Sequence, residues 1–180
     1  MFSYKIDEEL SLKLVEVRDS ERIFELTDTS RDYLKEWLPW LDYTKTVEDS
    51  RDFIRMSRKN YADNKTLNTV IVYQDEIVGM AGFNELGWVN KTAKIGYWLG
   101  QEYQGNGIMT RVAEALTDIS FGHFGMNRTE IRVATGNVKS RGIPERLGYT
   151  EEGTLRQVEW LYDHYVDHVV YGMLASEWKK

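Results

Sequence analysis

Tyr103-Gln104-Gly105-Asn106-Gly107-Ile108-Met109-Thr110 sits between a strand-like run, Thr92–Leu99, and a helix-like pattern, Arg111–Phe121. A glycine-rich turn between strand and helix leaves several backbone N–H groups unpaired and aimed at one spot. With the helix dipole behind them, those donors make an anion site suited to phosphate. Side chains at 105 or 107 would hold a pyrophosphate away from the backbone. The stretch is not a Walker A loop, because no Lys-Ser/Thr pair follows the glycines. It is not a Rossmann fingerprint either, because Thr110 stands where a third glycine belongs. What remains is Gln-x-x-Gly-x-x, with Gln104, Gly107 and, at the last defined position, Met109. The expected ligand is a phosphate-bearing cofactor.

Three further groups of residues invite chemistry. Asn137 and Ser140 lie three residues apart at the mouth of a helix, where an N-cap or Asx role is the plain alternative. Glu159 stands between Val158 and Trp160, where a solvated carboxylate is the plain alternative, and Glu36 and Glu85 remain other acids. His164-x-x-x-His168 has helical zinc spacing. Its valine-rich setting favours a strand, where residues i and i+4 are about 13 Å apart, so no metal is expected.

The elements that must position these groups can be read from periodicity. Leu10, Leu12 and Leu14 alternate as a strand, and Asp19-Ser20 caps a helix carrying Ile23, Phe24 and Leu26. Thr46-x-x-Asp49 resembles a capping box opening a helix with Phe53, Ile54, Met56 and Ser57. Leu67–Tyr73, a turn at Gln74-Asp75-Glu76, and Ile77–Phe83 form a hairpin. Glu85–Lys91 reads as a polar turn before Thr92–Leu99. Beyond the loop and its helix come a strand at Thr129–Ala134, a short helix Pro144–Leu147 stopped by Gly148, and strands at Tyr149–Arg156 and Asp167–Leu174. This predicts a mixed α/β domain, an antiparallel meander followed by strand–helix–strand–helix–strand, with its ligand site at the strand–helix turn.

Composition bounds the function. The length of 180 residues supports one domain over 1–180 and is marginal for two. A net charge of −6 argues against non-specific binding to nucleic acid or anionic membrane and favours a cationic acceptor such as an amine. The absence of cysteine removes disulfides, Cys-ligated zinc and a Cys nucleophile, and fits a cytoplasmic protein. The acidic start, Met1 to Glu9, lacks the apolar stretch of a signal peptide. Trp37, Trp40 and Trp88 are open to roles in the core, a substrate lip or a homo-oligomer contact.

The order of elements and the loop resemble the GNAT superfamily of N-acetyltransferases. Trp37-Leu38-Pro39-Trp40, Gly96-Tyr97-Trp98-Leu99, the 103–107 loop, Asn137-Val138-Lys139-Ser140, Leu147-Gly148-Tyr149 and Glu152-Gly153-x-Leu155-Arg156 follow one another as in its ribosomal-protein branch, the RimJ/RimL type. This likeness covers nearly the whole chain. It implies an α+β fold with a largely antiparallel sheet, flanked by helices and splayed at an acetyl-CoA site. It also implies direct acetyl transfer to a primary amine, most simply the N-terminal α-amine of a ribosomal protein. By the same likeness, Trp98 and Leu99 offer backbone groups to pantetheine. The amides of Gly105, Asn106, Gly107, Ile108, Met109 and Thr110, with Gln104 before them, hold the pyrophosphate. Asn137 bonds pantetheine, Ser140 lies by the sulfur as general acid, and Glu159 faces the acceptor as base. A polyamine or aminoglycoside acetyltransferase, and an acyl-CoA-binding sensor without chemistry, remain as alternatives.

Overall fold

In the computed structural model, residues 3–178 are described. Met1, Phe2, Lys179 and Lys180, the ends of the expected 1–180 span and part of the acidic start, lie outside them. Among the described residues, eight strands form one sheet in the order β1-β2-β3-β4-β5-β6-β8-β7. The strands are β1 Ser3–Lys5, β2 Leu10–Leu14, β3 Leu67–Tyr73, β4 Glu76–Gly87, β5 Thr92–Leu99, β6 Arg128–Ala134, β7 Thr150–Leu161 and β8 His164–Leu174. Every neighbouring pair is antiparallel except β5–β6. The helices are α1 Ser20–Thr29, α2 Arg31–Lys35, α3 Val47–Ala62, α4 Ile108–Asp118 and α5 Val138–Arg146. None of the helices among the described residues is long and apolar enough to cross a membrane.

Alternation along the strands splits the core between two faces. Val70 and Met80, partners in register, pack with Val15, Ile23 and Ile54 beneath α1 and α3. Ile71, Phe83 and Ile95 face the other way, with Ile108, Val112 and Leu116 of α4. On β5 the same rule sends Tyr97 and Leu99 toward α4 and Trp98 toward α1 and α3.

The opening in the sheet follows from its register. β5 pairs with β6 only from Thr92↔Arg128 to Ile95↔Ile131, while its pairing with β4 continues to Leu99. The edge of Gly96–Leu99 that faces β6 therefore has no strand partner. A bulge at Asn84 in β4, between the pairs Phe83↔Ile95 and Glu85↔Lys94, lies at the level where β6 departs. Such a bulge sharpens local twist, which helps two strands diverge.

Several elements differ from the sequence expectation. The Glu85–Lys91 turn is shorter, because β4 runs on to Gly87. The turn before β4 is the pair Gln74-Asp75, both at positive φ (49° and 65°), which matches the twist of a two-residue hairpin. The helix after the glycine loop starts at Ile108 rather than Arg111. The short helix at Pro144 is the tail of a longer one, α5, which starts behind an Asn137 N-cap. The strand expected to end at Arg156 is longer, since β7 continues through a bulge to Leu161 and carries Glu159 within it. The capping box at Thr46 is present: Asp49 N–H donates to Thr46 Oγ1 at 3.3 Å, and Thr46 N–H donates to Asp49 Oδ2 at 2.8 Å.

Candidate active site

The glycine loop closes on α4 with Gly105 at φ +81° and Gly107 at φ +66°. Both values favour glycine, because a Cβ in this region crowds the following carbonyl. A Cβ placed on either would meet no protein atom within 4 Å, so the backbone here is open on its outer side. The first loop-to-helix bond is donated by Arg111 N–H to the Gly107 oxygen. Among the described residues, the amides from Gly105 to Thr110 donate to no protein acceptor. Six consecutive donors at a helix N-terminus, with glycine at the two positions that need it, fit a diphosphate.

These amides border a cavity of about 760 Å³. Trp98, Leu99, Gln104, Gly105, Gly107, Ile108, Met109, Thr110, Asn137 and Ser140 all line it. Asn106 does not, for its side chain turns back and donates to the Tyr103 oxygen at 3.1 Å. The Ile108 and Met109 side chains are buried in the core, which leaves their main chain as what they offer. Lys139 and Arg146 line the same cavity and were not singled out in the sequence. Arg146 Nη2 donates to Thr110 Oγ1 at 2.9 Å, tying α5 to the first turn of α4. Two cations beside six free amides reverse the sign of this acidic protein locally.

Asn137 caps α5, its Oδ1 accepting from Ser140 N–H at 3.2 Å. That leaves Nδ2 as the group it can offer a ligand. The Ser140 hydroxyl makes no protein hydrogen bond among the described residues and is half-buried in the cavity wall. The cap and the open hydroxyl coexist, so the two roles weighed for these residues are compatible.

Glu159 borders a second cavity of about 630 Å³ on the α1 and α3 side of the sheet. Leu38, Tyr97 and Trp98 are common to both cavities, so the unpaired end of β5 is the partition between them. Trp40 packs against Trp98 with ring centroids 5.9 Å apart. Of the other tryptophans considered, Trp37 lines the first cavity, and Trp88 lies elsewhere, bonded to the Asn64 oxygen. The position of Glu159 depends on the β7 bulge. Leu155 pairs with His168 and Glu159 with Val166, so β7 carries two extra residues there. Gln157 sits at φ 49°, and its N–H donates to Asp167 Oδ1 at 2.7 Å. In an unbroken ladder Gln157 would stand where Glu159 does.

His168 Nε2 lies 3.2 Å from Glu159 Oε2, and His164 Nδ1 lies 2.6 Å from Asp163. Both histidines are on β8, as their setting implied, and each faces its own carboxylate. At the far end of this hairpin the Tyr162 hydroxyl donates to the Leu38 oxygen and accepts from Leu41 N–H. That link fixes the segment bearing Leu38 over both cavities. Burial raises the Tyr97 and Tyr162 hydroxyls above the ordinary tyrosine range, so both remain protonated donors.

Comparison with known proteins gives the family. Residues 9–150 match the acetyltransferase (GNAT) domain family. The chain is similar to YdaF of Bacillus subtilis (strain 168), a provisionally named ribosomal N-acetyltransferase. The two are 34% identical over 180 residues, covering 99% of this chain and 98% of the relative. Among solved structures, the microcin C7 self-immunity acetyltransferase MccE, in complex with acetyl-CoA and AMP, is 30% identical. The match covers 94% of each chain with a TM-score of 0.89. RimL, the ribosomal L7/L12 α-N-protein acetyltransferase, in complex with coenzyme A, is 25% identical, with a TM-score of 0.93 over 96% of this chain and 98% of that one. A family match over most of the chain and a 34% identical relative covered almost end to end decide the matter: the chain belongs to the GNAT acetyltransferases and is an N-acetyltransferase that uses acetyl-CoA.

Proposed function

We propose that this enzyme acetylates the N-terminal α-amine of a protein, a ribosomal protein being the acceptor class its relatives bring forward. The observation that carries this reading is the shared wall. Ser140 lines the cofactor cavity, Glu159 lines the other, and the two cavities meet at Tyr97 and Trp98. A donor and a base on opposite sides of one opening are what transfer between two ligands requires.

Bound acetyl-CoA supplies an activated thioester. The amides of Gly105 to Thr110 hold its diphosphate, with Lys139 and Arg146 adding charge. The open edge of Trp98 and Leu99, together with Asn137 Nδ2, aligns the pantetheine arm. Ser140 Oγ donates a hydrogen bond to the sulfur as the C–S bond breaks. Glu159 takes the proton that the amine sheds as its nitrogen bonds to the acyl carbon. Transfer is direct, since the chain has no cysteine to carry a Cys-bound acyl group. The continuous sheet order through all eight strands supports reading 1–180 as one domain.

The choice of amine follows from its basicity. An α-amine has a pKa of about 7.7–8.0, against about 10.4 for lysine. Freeing it at pH 7 costs about 1 kcal/mol, compared with roughly 4–5 kcal/mol for lysine. One carboxylate base suits the easier task. A panel of N-terminal peptides, spermidine and an aminoglycoside, assayed by thiol release, tests the reading. Turnover of peptides is expected. Turnover confined to the small amines would replace it, and acetyl-CoA binding with no turnover would point to a sensor.

A further inference from the structure

The second cavity has chemistry that Glu159 does not use. On its wall, Ser50 Oγ and Thr66 Oγ1 are buried with no hydrogen-bond partner among the described residues, and Ser50 is only 2% exposed. Leaving such a group unpaired costs roughly 1–3 kcal/mol. Other residues of this cavity have the opposite character. Tyr43, Phe53 and Met56 line it yet remain 81%, 49% and 58% exposed. Large apolar side chains at the rim of a cavity are surface waiting to be covered.

Charge narrows the ligand. Asp49 and Glu159 are the carboxylates of this cavity, and no lysine or arginine lines it. Asp49 is already engaged: its Oδ2 accepts from the Lys45 and Thr46 amides and from the Thr46 hydroxyl. Those bonds, that of Lys45 first, hold its carboxyl below the usual range. Hydrogen bonds from neutral donors keep Asp49 ionised, so charge selects a cationic acceptor, and a polyamine brings to the unpaired hydroxyls donors only. A peptide instead brings one N–H and one C=O per residue, which is what unpaired hydroxyls require.

We infer that the second cavity reads the start of a peptide acceptor: its hydroxyl wall holds the main chain, and Tyr43, Phe53 and Met56 cover a large apolar side chain at the second or third residue. This rests on the peptide-amine reading above. The amine must reach Glu159 at the partition, so the residues that follow it lie toward the exposed rim.

The test uses short peptides that differ only at residue two or three, with leucine, glycine or aspartate there, assayed by thiol release. Leucine at one of these positions is expected to raise kcat/KM about tenfold over glycine or aspartate, the order expected for covering one apolar side chain. The Phe53→Ser/Met56→Ser double variant is expected to bring the leucine peptide down to the glycine level, with acetyl-CoA affinity by calorimetry unmoved. Ser50→Ala is expected to lower kcat/KM for every peptide by a similar factor. Equal kcat/KM across the wild-type series, or a leucine preference that survives the double variant, overturns the inference and leaves peptide acetylation standing. No loss with Ser50→Ala overturns the main-chain contact. Acetylation of spermidine with no peptide turnover removes the underlying reading as well.

Discussion

The Tyr97 hydroxyl donates to the main-chain oxygen of Ser140 across 3.4 Å. That oxygen is available because Pro144, four residues on and inside α5, has no N–H to return to it. A helical bond is thus replaced by a bond to the splayed end of β5. The residue nominated to meet the sulfur is held by the strand nominated to align the pantetheine arm. Tyr97 also walls both cavities, so this contact joins the cofactor side to the acceptor side.

The first prediction concerns that link. Ser140→Ala should lower kcat by roughly 10²-fold, the low end of general-acid contributions, with acetyl-CoA affinity unchanged. Tyr97→Phe should lower kcat roughly threefold to tenfold, matching one hydrogen bond of about 0.5–1.5 kcal/mol. Pro144→Ala restores an N–H beneath the Ser140 oxygen. In that background Tyr97→Phe should cost less, which a double-mutant cycle on kcat measures.

Glu159 and His168 provide the second. Glu159→Gln should remove most turnover with α-amine acceptors near pH 7. His168→Leu should lower kcat severalfold, because the carboxylate loses the partner that orients it. His168→Gln, which retains a donor nitrogen at similar reach, should recover most of the loss. Added to Glu159→Gln, His168→Leu should cost little more. Equal effects of leucine and glutamine at 168 would make the histidine a packing residue.

The third lies in the loop. Gly107→Ala puts a Cβ at φ +66°, where a non-glycine residue costs about 1–2 kcal/mol. No protein atom obstructs that Cβ, so the variant should fold, with Tm lower by roughly 2–8 °C. Its acetyl-CoA affinity, read by calorimetry, should fall more than that of Gly122→Ala, a glycine that also has open space but lies at the far end of the helical segment.

The fourth is electrostatic. The Lys139→Ala/Arg146→Ala double variant should raise KM for acetyl-CoA roughly threefold to tenfold at low salt, since exposed cations contribute up to about 1 kcal/mol each. The difference from wild type should narrow near 0.5 M salt as screening shortens to a few Å. A rise in KM unaffected by salt would assign the effect to lost packing.

What could be read along the chain is what neighbouring residues decide. The Gly105–Thr110 amides are a run of contiguous backbone donors, so residue spacing alone exposes them as a candidate site. The Thr46–Asp49 box, the Gln74-Asp75 turn and the Asn137 cap are likewise contacts within a few residues, and strand β5 ends where its alternation ends. Tertiary structure decided the rest. The sheet opens at Ile95 because β6 leaves there, a fact about partners more than thirty residues apart. His168 meets Glu159 only because a bulge inserts two residues between Leu155 and Glu159, and no period in the sequence reports an insertion against a partner strand. Lys139 and Arg146 read as ordinary surface charges until α5 packs beside α4. Local geometry is encoded by torsional preference and short hydrogen bonds, whereas the meeting of distant side chains is set by register and packing, which a linear pattern does not contain.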